Sequence, residues 1–230
     1  TRYKKNALLS GNPTNGAVLT ALLAAALYGM SFPASKFLLS EIAPTMMAAL
    51  LYLGAGAGML AVRFARKLHG SQPKEASLSK QDLPYILGMI VLDIAAPIFL
   101  MLGLLSTTAS NASLLNNFEI TATALIALFV FKEAVSRQMW LAIALITLAG
   151  VLVSIDDFEN IRFSAGSLLV IAACLCWGLE NNCTRMLSLK DPLQIVVIKG
   201  FGAGTGALAI TIAIREMSGS VPYVLLALLT

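Results

Sequence analysis

Apolar residues run about twenty at a time along this chain, and polar residues punctuate the runs instead of alternating with them. Seven such stretches lie at about 16–38, 44–66, 83–105, 109–131, 138–155, 164–187 and 193–214. A helix needs roughly 20 apolar residues to cross the hydrocarbon core of a bilayer. Backbone polar groups in lipid must be satisfied within their own segment, so each stretch predicts a helix. The two-residue alternation of an outer-membrane barrel is absent. An eighth apolar stretch starts near Val221 and reaches Thr230, which is short of a span. The first stretch exceeds the 7–15 residues of a signal-peptide core. The predicted fold class is an all-α integral membrane protein, a multi-helix bundle.

Composition agrees. Hydrophobic residues make up 58% of the chain and charged residues 12%, against about 25% charge in a soluble domain. Mean hydropathy is +0.82. The three cysteines, Cys174, Cys176 and Cys183, share one apolar stretch without a Cys-x-x-Cys pair and read as small packing residues.

The charges that remain set an orientation. Arg2, Lys4, Lys5, Arg63, Arg66, Lys67, Lys74, Lys80, Lys132, Arg137, Arg185 and Lys190 fall on one side of the seven spans, and Lys36, Arg162 and Arg215 on the other. Twelve against three places the N-terminus in the cytoplasm of a multi-pass cell-membrane protein and the 215–220 loop outside. The net charge of +4 is explained by this distribution, so no nucleic-acid partner is expected.

Two parts of the chain repeat. Tyr28-Gly29-Met30-Ser31 aligns with Trp177-Gly178-Leu179-Glu180, and Ser35-Lys36-Phe37-Leu38 with Thr184-Arg185-Met186-Leu187, at an offset of 149. After a one-residue slip Pro44 meets Pro192, and Gly54-Ala-Gly56-Ala-Gly58 meets Gly202-Ala-Gly204-Thr-Gly206 at an offset of 148. The unit is five helices, an odd number, so a second copy enters the membrane upside down. Such inverted repeats belong to secondary transporters, with the site near the midplane between the halves. The predicted division is a first repeat at 1–155 and the start of the second at 156–230, about seven and a half of ten helices. The chain opens without a methionine and stops inside a helix, so it is expected to be a C-terminally truncated piece. The glycine runs do not follow a strand, which excludes a dinucleotide fingerprint. Gly54 with Gly58, and Gly202 with Gly206, have the Gly-x-x-x-Gly spacing of closely packed helices.

A first span reading Tyr28-Gly-Met-Ser-Phe-Pro-Ala-Ser-Lys36, a fourth ending in Phe131-Lys-Glu133, and a repeat restarting at Gly166 with Trp177-Gly178 resemble the EamA family of the drug/metabolite transporter superfamily. The resemblance covers about residues 16–214. It implies two EamA-like repeats, cytoplasmic termini, and export or exchange of small metabolites or drugs, often driven by an ion gradient. The family's fourth helix often carries a Glu-Pro pair; here Glu119 matches and Ile120 replaces the proline.

Four ionisable residues lie within spans: Asp93, Glu119, Glu180 and Lys199. A charge at a helix centre costs about 2.5–3.5 kcal/mol on insertion scales, so such groups face a cavity and find partners. Glu180 and Lys199 lie at similar depth on antiparallel neighbours and are expected either to pair or to face the substrate path. Asp93 precedes Pro97, a helix-kinking residue. Asn116, Glu119 and Thr123 share a face of the fourth span. With no basic residue near them in sequence, Glu119 and Asp93 are the candidates for exchanging a proton. The expected substrate-binding set is Glu180, Asn181, Lys199, Glu119, Asn116 and Asp93. Trp177, Tyr28 and Phe118 offer rings for packing or for an organic cation.

No cofactor or metal site is expected. The single histidine, His69, lies in the basic loop, and no Gly-x-Ser-x-Gly or intramembrane aspartate pair occurs. The expected function is secondary active transport, as an exporter moving a small-molecule substrate with protons or another coupling ion. A non-transporting scaffold or sensor, and then a membrane enzyme, are the alternatives.

Overall fold

The computed structural model describes residues 15–70, 75–132, 136–157 and 162–230. Arg2, Lys4, Lys5, Lys74 and Glu133, which entered the charge count or the family motif, lie outside the described residues. Among the described residues nine α-helices follow in order: α1 (Asn15–Leu38), α2 (Pro44–Leu68), α3 (Leu83–Leu105), α4 (Ala109–Asn116), α5 (Phe118–Phe129), α6 (Arg137–Ser154), α7 (Ala165–Met186), α8 (Pro192–Ala213) and α9 (Val221–Leu229). One short antiparallel pair, Ile155–Asp157 with Arg162–Phe163, joins α6 to α7. The helix starts are written in the sequence. Prolines occupy the first turns of α2, α3, α8 and α9, where a missing N–H costs nothing. The Thr108 and Asp191 side chains accept from the Asn111 and Leu193 N–H groups and cap α4 and α8.

Among the described residues six helical segments have the length and hydropathy to cross a membrane: Val18–Leu38, Pro44–Leu68, Lys80–Leu105, Ala109–Phe129, Ala165–Met186 and Pro192–Ala213. The expected fifth stretch forms α6, but its described apolar part, Arg137–Ala149, is shorter than a span. The fourth stretch is not one continuous helix. It breaks at Asn117, whose side-chain amide donates to the Ser113 and Leu114 carbonyls at 3.3 and 3.1 Å. An asparagine that offers the backbone a competing donor marks the break, in place of the proline that Ile120 replaces.

The two ends of the bundle are each tied together. At one end the Asp191 N–H donates to the Ala76 carbonyl at 3.0 Å, the Leu78 N–H donates to Gln194 Oε1 at 3.2 Å, and Lys190 pairs with Asp82 at 2.8 Å. At the other, Thr45 Oγ1 donates to Glu216 Oε2 at 2.9 Å and the Ala43 N–H donates to Ser218 Oγ at 2.7 Å. There, too, the Lys36 ammonium donates to the carbonyls of Leu104 and Thr107 at the end of α3. A cation on the C-terminal carbonyls of a helix also meets the negative end of its dipole. The loops that the charge pattern assigns to a common side thus do meet.

Between the ends, α2 and α8 cross at backbone contact. A Cβ added to Gly200 would lie 2.5 Å from the Gly56 Cα and 2.9 Å from the Tyr52 carbonyl oxygen. The expected role of Gly58 is not seen: its Cβ position has nothing within 4 Å. The crossing is made by Gly56 and Gly200, one half-turn from the spacing read in the sequence. Leu38, Met47, Leu104, Leu115 and Val170 fill the core behind it and are fully buried.

Candidate functional site

The polar residues of α7 occupy one stripe and its edge. Trp177, Glu180, Asn181 and Thr184 fall at positions i, i+3, i+4 and i+7, which share a helix face. Gly178, one residue past Trp177, lets that helix lie against α5; a Cβ there would meet the Ala122 Cβ at 2.8 Å and the Thr123 N at 2.9 Å. This approach brings Asn181 within reach of α5. Its Nδ2 donates to Glu119 Oε1 at 2.8 Å and to Thr123 Oγ1 at 3.1 Å. Asn182, on the adjoining face, donates to the Thr123 carbonyl at 3.2 Å and to the Gly178 carbonyl at 2.8 Å. Asn182 is therefore an interhelical tie.

Glu180 turns to Lys199 of α8. Lys199 Nζ lies 3.0 Å from Glu180 Oε2 and 3.1 Å from Asp93 Oδ2. The second Glu180 oxygen accepts from the Thr184 hydroxyl. The second Asp93 oxygen accepts from the Tyr52 hydroxyl at 2.8 Å, and the Trp177 indole N–H donates to the same hydroxyl at 3.2 Å. One ammonium thus sits between two buried carboxylates, and a Trp–Tyr–Asp–Lys–Glu–Thr chain runs across four helices. Buried charges persist only when paired and hydrogen-bonded, and here every oxygen of Asp93 and Glu180 has a partner.

A cavity of about 540 Å³ opens beside this network. Glu119, Trp177, Glu180, Asn181 and Lys199 form its polar wall, and Tyr28, Phe32 and Tyr52 also line it. Four of the six expected site residues, Glu180, Asn181, Lys199 and Glu119, meet there. The other two do not line it. Asn116 is buried, and its Nδ2 donates to the Tyr28 hydroxyl at 2.7 Å, so it holds a wall residue in place. Asp93 is fully buried behind Lys199, a basic neighbour in space though none lies near it in sequence. Phe118 and Trp177 are packed against the core, and Tyr28 and Trp177 also line the cavity.

Tyr52 and Thr184 are the members that sequence reasoning missed. Tyr52 carried a signal: a hydroxyl in an otherwise apolar span needs a partner when buried. Among the described residues, no group of three or more His, Cys, Asp or Glu side chains is placed to hold a metal ion.

A model of the EamA-like transporter family matches residues 15–155 of the chain. An uncharacterized transporter of Methanothermobacter thermautotrophicus is 28% identical, with 89% of this chain and 64% of that protein covered. The chain therefore spans a little under two thirds of that relative's length. A solved crystal structure of a protein 17% identical has the same fold, with a TM-score of 0.58 over 89% of this chain and 72% of the other.

Proposed function

We propose that this chain, which belongs to the EamA-like transporter family, is the larger part of a secondary carrier that exports a small molecule by alternating access. The observation that supports this reading is the cavity of about 540 Å³, whose wall holds Glu119, Glu180 and Lys199 within membrane-length helices. Ionisable groups are expensive at that depth and are kept where substrate or ions pass. The volume is that of a site for a small organic molecule. Glu119 makes no ion pair among the described residues, and we assign to it the proton that couples transport to an ion gradient.

The division into inverted repeats at 1–155 and 156–230 draws support from the α2–α8 crossing. At the offset of 148, Tyr52 corresponds to Gly200 and Gly56 to Gly204. Gly200 lies against Gly56, and Gly204 lies against Leu53, one residue beyond Tyr52. Contacts that exchange partners in this way are those a two-fold axis in the membrane plane generates.

In cells expressing the full-length protein, mass spectrometry of medium and cytosol is expected to find at least one small molecule moved to the medium, and collapse of the proton gradient to abolish the shift. Medium and cytosol identical to those of cells without the protein would overturn the carrier reading. The basic loops support a cytoplasmic position for the end carrying Lys190. A cysteine placed at Leu189 is therefore expected to resist a membrane-impermeant maleimide in intact cells, and one at Met217 to react; the reverse pattern would invert the topology.

A further inference from the structure

We infer that the cavity takes an organic cation, a small molecule with an ammonium group on an apolar or aromatic body, and that Glu119 receives the charge. The inference rests on the carrier reading and names its substrate class. Among the described residues, three carboxylates and one ammonium are the acidic and basic side chains at and behind the polar wall, and they are not equally engaged. Asp93 has one oxygen on Tyr52 and the other on Lys199. Glu180 has one on Thr184 and the other on Lys199. Glu119 has a single donor, Asn181, on Oε1; among the described residues nothing donates to Oε2, and the side chain lines the cavity.

The charge count points the same way. Lys199 offsets one of its two carboxylates and leaves the trio one unit negative, and Glu119 adds another. An anion entering here would face two uncompensated negative charges, and the ammonium that would attract it is already held at 3.0 and 3.1 Å by Glu180 and Asp93. A cation meets the opposite situation, with a carboxylate oxygen that has no donor among the described residues to accept its N–H. The rings of Trp177 and Tyr28 share the cavity, and their faces attract cations while covering an apolar body. The Asn116 amide holds the Tyr28 hydroxyl, so that ring is positioned before any ligand arrives.

Three probes of one size separate the possibilities: benzylammonium, benzyl alcohol and benzoate. They are titrated calorimetrically into the purified full-length protein, in detergent and without any gradient. Benzylammonium is expected to bind at least about tenfold tighter than benzyl alcohol, the worth of a charge-assisted hydrogen bond, and benzoate weakest of all. In Glu119→Gln, whose side-chain oxygen can still accept from Asn181, the tenfold preference is expected to vanish while benzyl alcohol binding stays within about twofold. Glu119→Asp is expected to keep a preference for the cation. Tightest binding of benzoate, a preference unchanged in Glu119→Gln, or binding of none of the three would each overturn the inference. Export seen by mass spectrometry in the same cells would leave the carrier reading standing in all three cases, and its absence would remove that reading separately.

Discussion

Replacing Lys199 with methionine is expected to destabilise the folded protein by about 3 kcal/mol or more, the loss that follows when one partner of a buried ion pair is removed. Methionine fills a similar volume, so packing changes little. What remains is two carboxylates, Asp93 and Glu180, that are 0% and 1% exposed and that have lost their common counter-charge. The Lys199 side chain is 24% exposed, so cavity water relieves part of the cost and the lower end of the range applies. Asp93→Asn or Glu180→Gln alone should cost less, because each leaves Lys199 one anionic partner. The combined Lys199→Met, Asp93→Asn, Glu180→Gln protein should recover most of the loss, since neutral groups of the same shape carry no buried charge. Denaturant or thermal midpoints of the four detergent-solubilised variants would check the order. A Lys199→Met midpoint equal to wild type would mean that the ammonium does not hold the two carboxylates.

Gly200→Val should be comparably severe for a different reason. Its Cβ would lie 2.5 Å from the Gly56 Cα, 2.7 Å from the Gly56 N and 2.9 Å from the Tyr52 carbonyl oxygen. All three are backbone atoms of α2, so no rotamer change makes room and the helices must separate. Overpacking of this kind costs about 1–3 kcal/mol, and more where backbone has to move. Separation would also displace Tyr52 from Asp93 and Lys199 from its partners, so ligand binding should fall with stability. Gly58→Ala is the matched control. Nothing lies within 4 Å of its Cβ position, and alanine in a helix interior gains about 0.5–1 kcal/mol over glycine. If the two substitutions gave equal midpoints, the crossing would not be at Gly56 and Gly200.

The contrast between these glycines shows where reading the chain succeeds and where it stops. That α2 and α8 would each pack closely against a neighbour was legible in two Gly-x-x-x-Gly spacings, but not that they would pack on each other: Gly54 meets the Leu228 backbone, and Gly202 and Gly206 meet Ile90 and Ile94. Which glycine meets the partner depends on the rotation of each helix about its axis, and α8 is apolar on every side, with Lys199 as its single charge. The same limit separates Glu180 from Asp93. Depth alone put Glu180 beside Lys199, because consecutive antiparallel helices share a depth scale. Asp93 lies on a helix that is not a sequence neighbour of α8, and only the packing of α3 against both α7 and α8 adds it to the pair. Asn116 and Glu119, three residues apart, do face a similar direction, but the break at Asn117 leaves one behind the wall and the other in it.

The amino-acid sequence by itself determined the helices, the loops that share an end of the bundle and the polar residues held at membrane depth. It could do so because lipid offers the backbone no hydrogen bonds, so apolar length converts directly into helix, and because charged residues must either stay outside or be kept for a purpose. The tertiary structure alone decided which faces meet: Lys199 between two carboxylates, Gly56 against Gly200, and Glu119 in the cavity wall with one oxygen that has no donor among the described residues. Spans that are apolar all round carry no periodic stripe to announce a face, so those choices are made only by close packing between helices.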